Sequence, residues 1–273
     1  MKNRVLLLIC TAISAGCVSV PSLSPTCDTP TGIDLLPQSG IVVFGEIHGT
    51  TEAPKFVSRV ACASAQAGKR VIVAIEWPSD LQARLNDFFI DRASNPNAIR
   101  RADFVATNED GRASNAMLSL IDDAVSMRLS GHSVSVVAFD VDGSSKLNAD
   151  ETRDRAMAKN LRAIVSQNSD ALILVLTGNI HSRQERGTPW NAEVEPMAFL
   201  LRDLKPISLN VAHEDGLAWV CGGDAKCGPR QFKGAARFLD LTPKSAMMAI
   251  DSRVEAHDGY FYVGKLTASA PVR

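Results

Sequence analysis

The chain has 273 residues, 45% of them hydrophobic, with 29 Lys+Arg against 30 Asp+Glu and a formal net charge of -1. That length supports one large α/β domain or at most two small ones, and the balance of charge excludes a disordered polyelectrolyte and a broad nucleic-acid surface, which needs a basic excess to neutralise phosphates. Aromatic residues at 5% exclude a stacking platform, and a mean hydropathy of +0.01 with one early apolar run excludes a multi-span membrane protein.

The first predicted element is an address. Lys2 and Arg4 form a positive head, residues 5–16 are an uncharged apolar run too short to span a bilayer, and the small residues Ser14-Ala15-Gly16 lead to Cys17. That order is a secretory signal peptide over residues 1–16. A Cys after Ala-Gly resembles a bacterial lipoprotein signal, with Cys17 as the lipidated residue, although Ser14 stands where lipoboxes usually carry Leu. The expectation is an exported bacterial protein, periplasmic or on the outer membrane or cell surface, held to the membrane through its N-terminal lipid. Residues 17–40, rich in Ser, Pro, Thr and Gly, read as a tether. Residues 41–273 read as a single domain.

From there short apolar runs alternate with longer amphipathic ones. Residues 41–44 predict a buried strand and 52–67 a helix entered through Thr50-Thr51. A second strand at 71–75 is followed by a helix over about 79–89. Residues 114–129 are helical, with Met117, Leu120, Ile121 and Ala124 on one face. A third strand at 134–139 precedes a helix at 150–165. A fourth strand at 171–176 precedes a shorter helix at 197–204, and 207–211 is a fifth strand. Continuous apolar strands separated by helices predict an α/β fold, a mostly parallel sheet with helices on both faces. The tail from Leu217, with strand-like 218–220 and 260–263, predicts a small irregular β extension.

Of six cysteines, Cys10 leaves with the signal and Cys17 carries the lipid. Cys27, Cys62, Cys221 and Cys227 remain, an even number in an oxidising compartment, which favours disulfides. Cys221 and Cys227 bracket a turn-like Gly-Gly-Asp-Ala-Lys. Cys27 with Cys62 would pin the tether to the first helix. A C-x5-C spacing with no second pair is a weak zinc pattern.

The residues just past each strand carry the chemistry. The first strand runs into Gly45-Glu46-Ile47-His48, the second into Glu76-Trp77-Pro78, the third into Asp140 and Asp142, and the fourth into Gly178-Asn179-Ile180-His181. Parallel strands end along one edge, where ligands bind, so distant stretches deliver carboxylates and imidazoles to one crevice. Asp140 and Asn179 would stand at its rim, and Asp140 and Asp142 read equally well as loop caps. His132, His213 and His257 have no evident partner.

The pair of GxxH motifs resembles that of the ChaN/Tiki/erythromycin-esterase superfamily. Residues 151–161, Glu-Thr-Arg-Asp-Arg-Ala-Met-Ala-Lys-Asn-Leu, are similar to the RDxxMAxN helix of its ChaN-like members. His181-Ser182-Arg183 leading to Gly187-Thr188-Pro189 is similar to the segment after the second motif, and the lipoprotein-like start is similar too. The likeness covers about residues 41–189. It implies a haem-binding surface lipoprotein of iron uptake in the ChaN branch, metal-dependent peptidases in the Tiki branch, and a hydrolase in the esterase branch. The esterase branch usually has two residues between Glu and His, where Glu46 and His48 have one, a departure that points away from macrolide hydrolysis.

On this chemistry His48 and His181, with Glu46 or Glu76, would hold a divalent metal such as zinc, manganese or cobalt. The other glutamate would act as general base, and Arg153 would stabilise an oxyanion. The substrate would be a small molecule or a peptide. In the haem reading His48 or His181 would be the axial ligand, with a homodimer interface supplying apolar walls. A third reading is a degenerate, non-catalytic binding protein.

Overall fold

The computed structural model describes residues 27–91, 97–143, 151–223, 226–234 and 246–272. The proposed signal, with Cys17, and Asp150 at the start of the predicted fourth helix lie outside them. The apolar runs form strands β1 (Gly40–Glu46), β2 (Val71–Pro78), β3 (Val134–Asp140), β4 (Leu172–Gly178) and β5 (Ile207–Glu214). They lie in the order β3-β2-β4-β1-β5, all parallel. Helices α1 (Glu52–Gln66), α2 (Gln82–Asp91), α3 (Asp103–Thr107), α4 (Asn115–Leu129), α5 (Arg153–Gln167) and α6 (Met197–Leu200) connect them. The predicted helix over 197–204 stops at Leu200 and continues as a 3-10 turn, Arg202–Leu204, closed by Lys205 at a φ of 51°.

Side-chain alternation sorts the sheet into two cores. Val42, Phe44, Val73, Ile75, Leu174 and Leu176 pack with α1, α2 and α4. Ile41, Val43, Ile72, Ala74, Ile173 and Val175 pack on the other face with Met157, Ala158 and Leu161 of α5 and Met197 of α6. Burial on both faces explains why the strands read as unbroken apolar runs. The free edge of β3 is covered by Gln82, whose side-chain amide donates to Val136 O at 3.2 Å and accepts from Ala138 N at 2.8 Å.

Two features go beyond the sequence expectation. The small β extension expected at the C-terminus is present, and more of it is strand than the residues predict. Its hairpin β6 (Gly216–Cys221) and β7 (Cys227–Phe232) forms a separate antiparallel pair, while β9 (Gly259–Lys265) joins the main sheet parallel to β5 and β8 (Met247–Ile250) closes its edge. β7 is polar and β8 short, so neither carries an alternation long enough to read. The C-terminal end of the expected tether also packs onto the domain. Leu36 is buried in the core, Lys69 Nζ donates to Leu36 O and Pro37 O, and Thr31 bridges to Met247. Both expected cysteine pairs, Cys27–Cys62 and Cys221–Cys227, are bonded.

Candidate active site

The strands run further than their apolar cores predict, so Glu46, Glu76 and Asp140 lie within strand termini rather than in the loops beyond. The register sets Glu46 beside Gly178 and Asp140 beside Pro78. Glu46 has the parity of Val42 and Phe44, whereas Glu76 has that of Ile72 and Ala74. The two carboxylates thus belong to opposite faces of the sheet. His48 joins them across its edge, with Nδ1 3.0 Å from Glu46 Oε1 and Nε2 3.5 Å from Glu76 Oε2. Gly178 leaves the room: a Cβ built there would stand 3.0 Å from His48 Nε2 and 3.6 Å from His181 Cδ2. The two imidazoles therefore converge over one glycine.

The RDxxMAxN resemblance acquires a physical account. Thr152 caps α5 by accepting from Arg155 N, which brings the first helical residues to the strand ends. Arg153 Nη2 donates to Glu76 Oε1 at 2.5 Å and to Asp140 Oδ2 at 2.7 Å, and Nε donates to Asp140 Oδ1 at 3.0 Å. Its Nη1 lies 3.0 Å from His181 Nε2. Asp154 Oδ1 lies 2.7 Å from His181 Nδ1 and also accepts from Met197 N. Met157 and Ala158 are buried, and Asn160 Nδ2 donates to the backbone oxygens of Phe139 and Asp140.

Glu76 is enclosed. Its Oε2 accepts from Thr177 Oγ1 at 2.6 Å and Gly178 N at 2.8 Å. Burial opposes its charge, but His48 and Arg153 outweigh that and hold the carboxyl well below the usual range. For His48 burial again works against the charged ring, and Glu76 and Glu46 overcome it, pushing the imidazole up to about 10. Burial raises Glu46, with the His48 contact pulling the other way. At neutral pH His48 is therefore loaded with a proton.

His181 is held differently. A guanidinium N–H only donates, so His181 Nε2 must accept from Arg153, and Nδ1–H then donates to Asp154. This ring is the neutral tautomer with its lone pair at the site.

Arg112, which carries no sequence motif, completes the network. Its Nη1 donates to Asp140 Oδ2 at 2.8 Å, and Asp110 Oδ2 accepts from its Nε and Nη2. Trp77 Nε1 fixes this loop by donating to Arg112 O at 2.7 Å. Charges alternate along the strand ends: Asp110, Arg112, Asp140, Arg153, Glu76, His48. Asn179 contributes its backbone N–H, which donates to Glu46 O. His257, without a partner in the sequence reading, lies 2.9 Å from Ser182 Oγ behind the second motif.

The metal set expected from the sequence does not assemble as a donor set. His48 turns a nitrogen to each of two carboxylates, the lone pair of His181 meets Arg153, and the guanidinium takes the central cation position. Among the described residues no group of three or more His, Cys, Asp or Glu side chains is arranged to hold a metal ion. The walls that this chain supplies are Glu76, Asp140, Arg112, Arg153 and Asp154 rather than apolar surface.

No protein-family model and no curated protein matches the sequence. Solved structures do. An erythromycin esterase, a mutant of EreC in its open conformation, aligns over 88% of this chain and 94% of its own at 11% identity and a TM-score of 0.64. A protein from Bacillus cereus aligns over 88% of this chain and 91% of its own at 10% identity and a TM-score of 0.57. A succinoglycan biosynthesis protein aligns over 87% and 90% at 10% identity, also with a TM-score of 0.57. The chain thus shares the fold of erythromycin esterase EreC.

Proposed function

We propose that this chain is a hydrolase that opens an ester-type carbonyl without a metal, dividing acid and base work between its two histidines. The observation that carries the reading is the Arg153 N–H on His181 Nε2, which leaves His181 unprotonated at that nitrogen while His48 carries a proton between Glu46 and Glu76. Groups held in opposite protonation states at one site are the arrangement that acid–base hydrolysis needs. A substrate carbonyl entering beside Arg153 takes the Nη1–H, freeing the His181 lone pair for a water. His181 Nε2 accepts the water proton as the new C–O bond forms, and the carbonyl electrons move to an oxyanion facing Arg153. The tetrahedral intermediate collapses, and the departing alkoxide takes the proton from His48 Nε2. Solvent returns the proton from His181 to His48.

Export and anchorage through Cys17 belong to the same proposal, supported by the charged head, the short apolar run and the small residues before Cys17. The test uses p-nitrophenyl acetate and ethyl acetate, with metal content read by mass spectrometry. Turnover that survives chelation, without a stoichiometric ion, and is lost in His181→Gln supports the reading. Turnover restored only by an added divalent ion, or none with either ester, overturns it.

A further inference from the structure

The hairpin β6–β7 forms a sheet of its own beside the main one, with only Gly216 and Ala218 of β6 buried. Its strands pair with each other, and a lone two-stranded hairpin is marginally stable in water. Its attachment therefore rests on specific contacts. At its base Leu217 N donates to Leu266 O. Further along, Trp219 reaches two loops that both carry site residues. Its backbone N–H donates at 2.9 Å to the oxygen of Gly49, the residue after His48. Its indole Nε1–H donates at 3.1 Å to Glu109 O, in the loop that leads to Asp110 and Arg112.

Trp219 O also presses on both loops. A Cβ on Gly49 would come within 2.0 Å of it, and one on Gly111 within 2.8 Å, so only glycine allows this approach. Gly111 would in addition meet Gly49 N at 2.6 Å, which shows how closely the two loops abut. The C-terminal segment shares the anchor, because Ser269 N donates to the same Gly49 O at 2.8 Å. Two residues beyond Trp219, Cys221 faces Cys227 across the hairpin and is bonded to it.

We propose that Trp219 is a positioning residue of the site, locking the His48 turn and the Arg112 loop to one another, and that the Cys221–Cys227 bond keeps it at that post. The kinetic part of this inference rests on the hydrolase reading; the structural part does not. Trp219 touches no reacting atom in this scheme. It acts by fixing where His48 and, through Arg112 and Asp140, Arg153 stand, and misplacement by about 1 Å can cost on the order of a hundredfold in rate.

The test is hydrogen–deuterium exchange of the full chain, read by mass spectrometry, beside steady-state kinetics on p-nitrophenyl acetate. In Trp219→Ala, exchange should rise about tenfold or more in peptides covering 47–51 and 108–112 together. Trp219→Phe keeps the backbone donor, as Trp219→Ala does, and also most of the bulk that holds the hairpin in place; it lacks only the indole N–H, so it should loosen 108–112 alone. Cys221→Ser with Cys227→Ser, which leaves Cys27–Cys62 intact, should loosen both windows by a smaller factor. Kinetically, Trp219→Ala should lower kcat about tenfold or more with KM within about twofold. Unchanged exchange in both windows, or a rise spread evenly along the chain, overturns the proposal. If Trp219→Ala does not fold, Trp219→Phe decides, and full protection of 108–112 in that variant overturns it. A wild-type chain that turns over no ester removes the hydrolase reading and leaves the exchange pattern to judge the clamp.

Discussion

Arg153 faces His181 with Nη1 3.0 Å from Nε2, and the same guanidinium grips Asp140 with two nitrogens and Glu76 with one. A planar fork can serve three partners at fixed angles; an ammonium on a flexible stem cannot. Arg153→Lys should therefore keep the charge yet lower kcat by about 10²–10³. Recovery of wild-type turnover in that variant would show that only net charge matters.

If His48 delivers the leaving-group proton, its loss should depend on what leaves. A nitrophenolate departs without help, whereas an alkoxide needs a proton. His48→Gln should slow ethyl acetate hydrolysis by about 10²–10⁴ and p-nitrophenyl acetate far less. His181→Gln should slow both alike. Equal sensitivity of the two esters to His48→Gln would remove the assignment of acid and base.

Asp154 holds His181 in one tautomer. Asp154→Asn should leave KM nearly unchanged and cut kcat by about 10²–10⁴, since an amide can present its N–H to Nδ1 and invert the ring. Because Asp154 also accepts from Met197 N, a thermal melt run alongside should show a modest loss of stability. A kcat within twofold of wild type would mean that tautomer control is unimportant here.

His48 also makes stability depend on pH. Its folded value is raised above the ordinary 6.5 to about 10, so its contribution is complete below pH 6.5 and fades as pH rises towards 10. Over that window the wild type should lose on the order of a few kcal/mol. Urea melts at pH 6 and pH 10 should show this loss shrinking markedly in His48→Gln. Glu76, depressed well below 4.5, acts on the other side, its contribution fading as pH falls below that value. Parallel slopes in wild type and His48→Gln would refute the His48 assignment.

Asp140 is buried and shared by Arg112 and Arg153. Removing Asp140 alone leaves two cations facing each other, and removing Arg112 alone strips a buried carboxylate of one partner. Each single alanine variant should lose about 3–5 kcal/mol in a denaturant melt. The double variant should lose clearly less than the sum, with a coupling of about 1–3 kcal/mol. Strict additivity would mean the contact contributes nothing.

Much of this was legible in the residues because burial on both faces leaves strands as apolar runs, and because parallel strands gather their ends. The positions of Glu46, His48, Glu76 and His181 came from that rule alone, and Arg153 from its helix motif. Arg112 was not legible: it sits in an Asp-Gly-Arg loop whose composition reads as an ordinary turn, and only the fold carries it to Asp140. The choice of central cation was hidden for a related reason. Imidazoles and carboxylates in sequence are as compatible with a metal as with an arginine between them, and only the reach of Arg153 from the start of α5 distinguishes the two. Strands β7 and β8 were hidden because one is polar and the other short.

The alternation of sign along the strand ends constrains how this sequence can drift. The charged groups between the ends of that row each answer two neighbours, so a single replacement at Asp140 or Arg112 strands an opposite charge before any second change can repair it. Viable routes through sequence space must then alter linked positions in concert or pass through a crippled intermediate. Natural variants should carry correlated exchanges at 110, 112 and 140, while the solvent-facing side of α5 diverges one residue at a time.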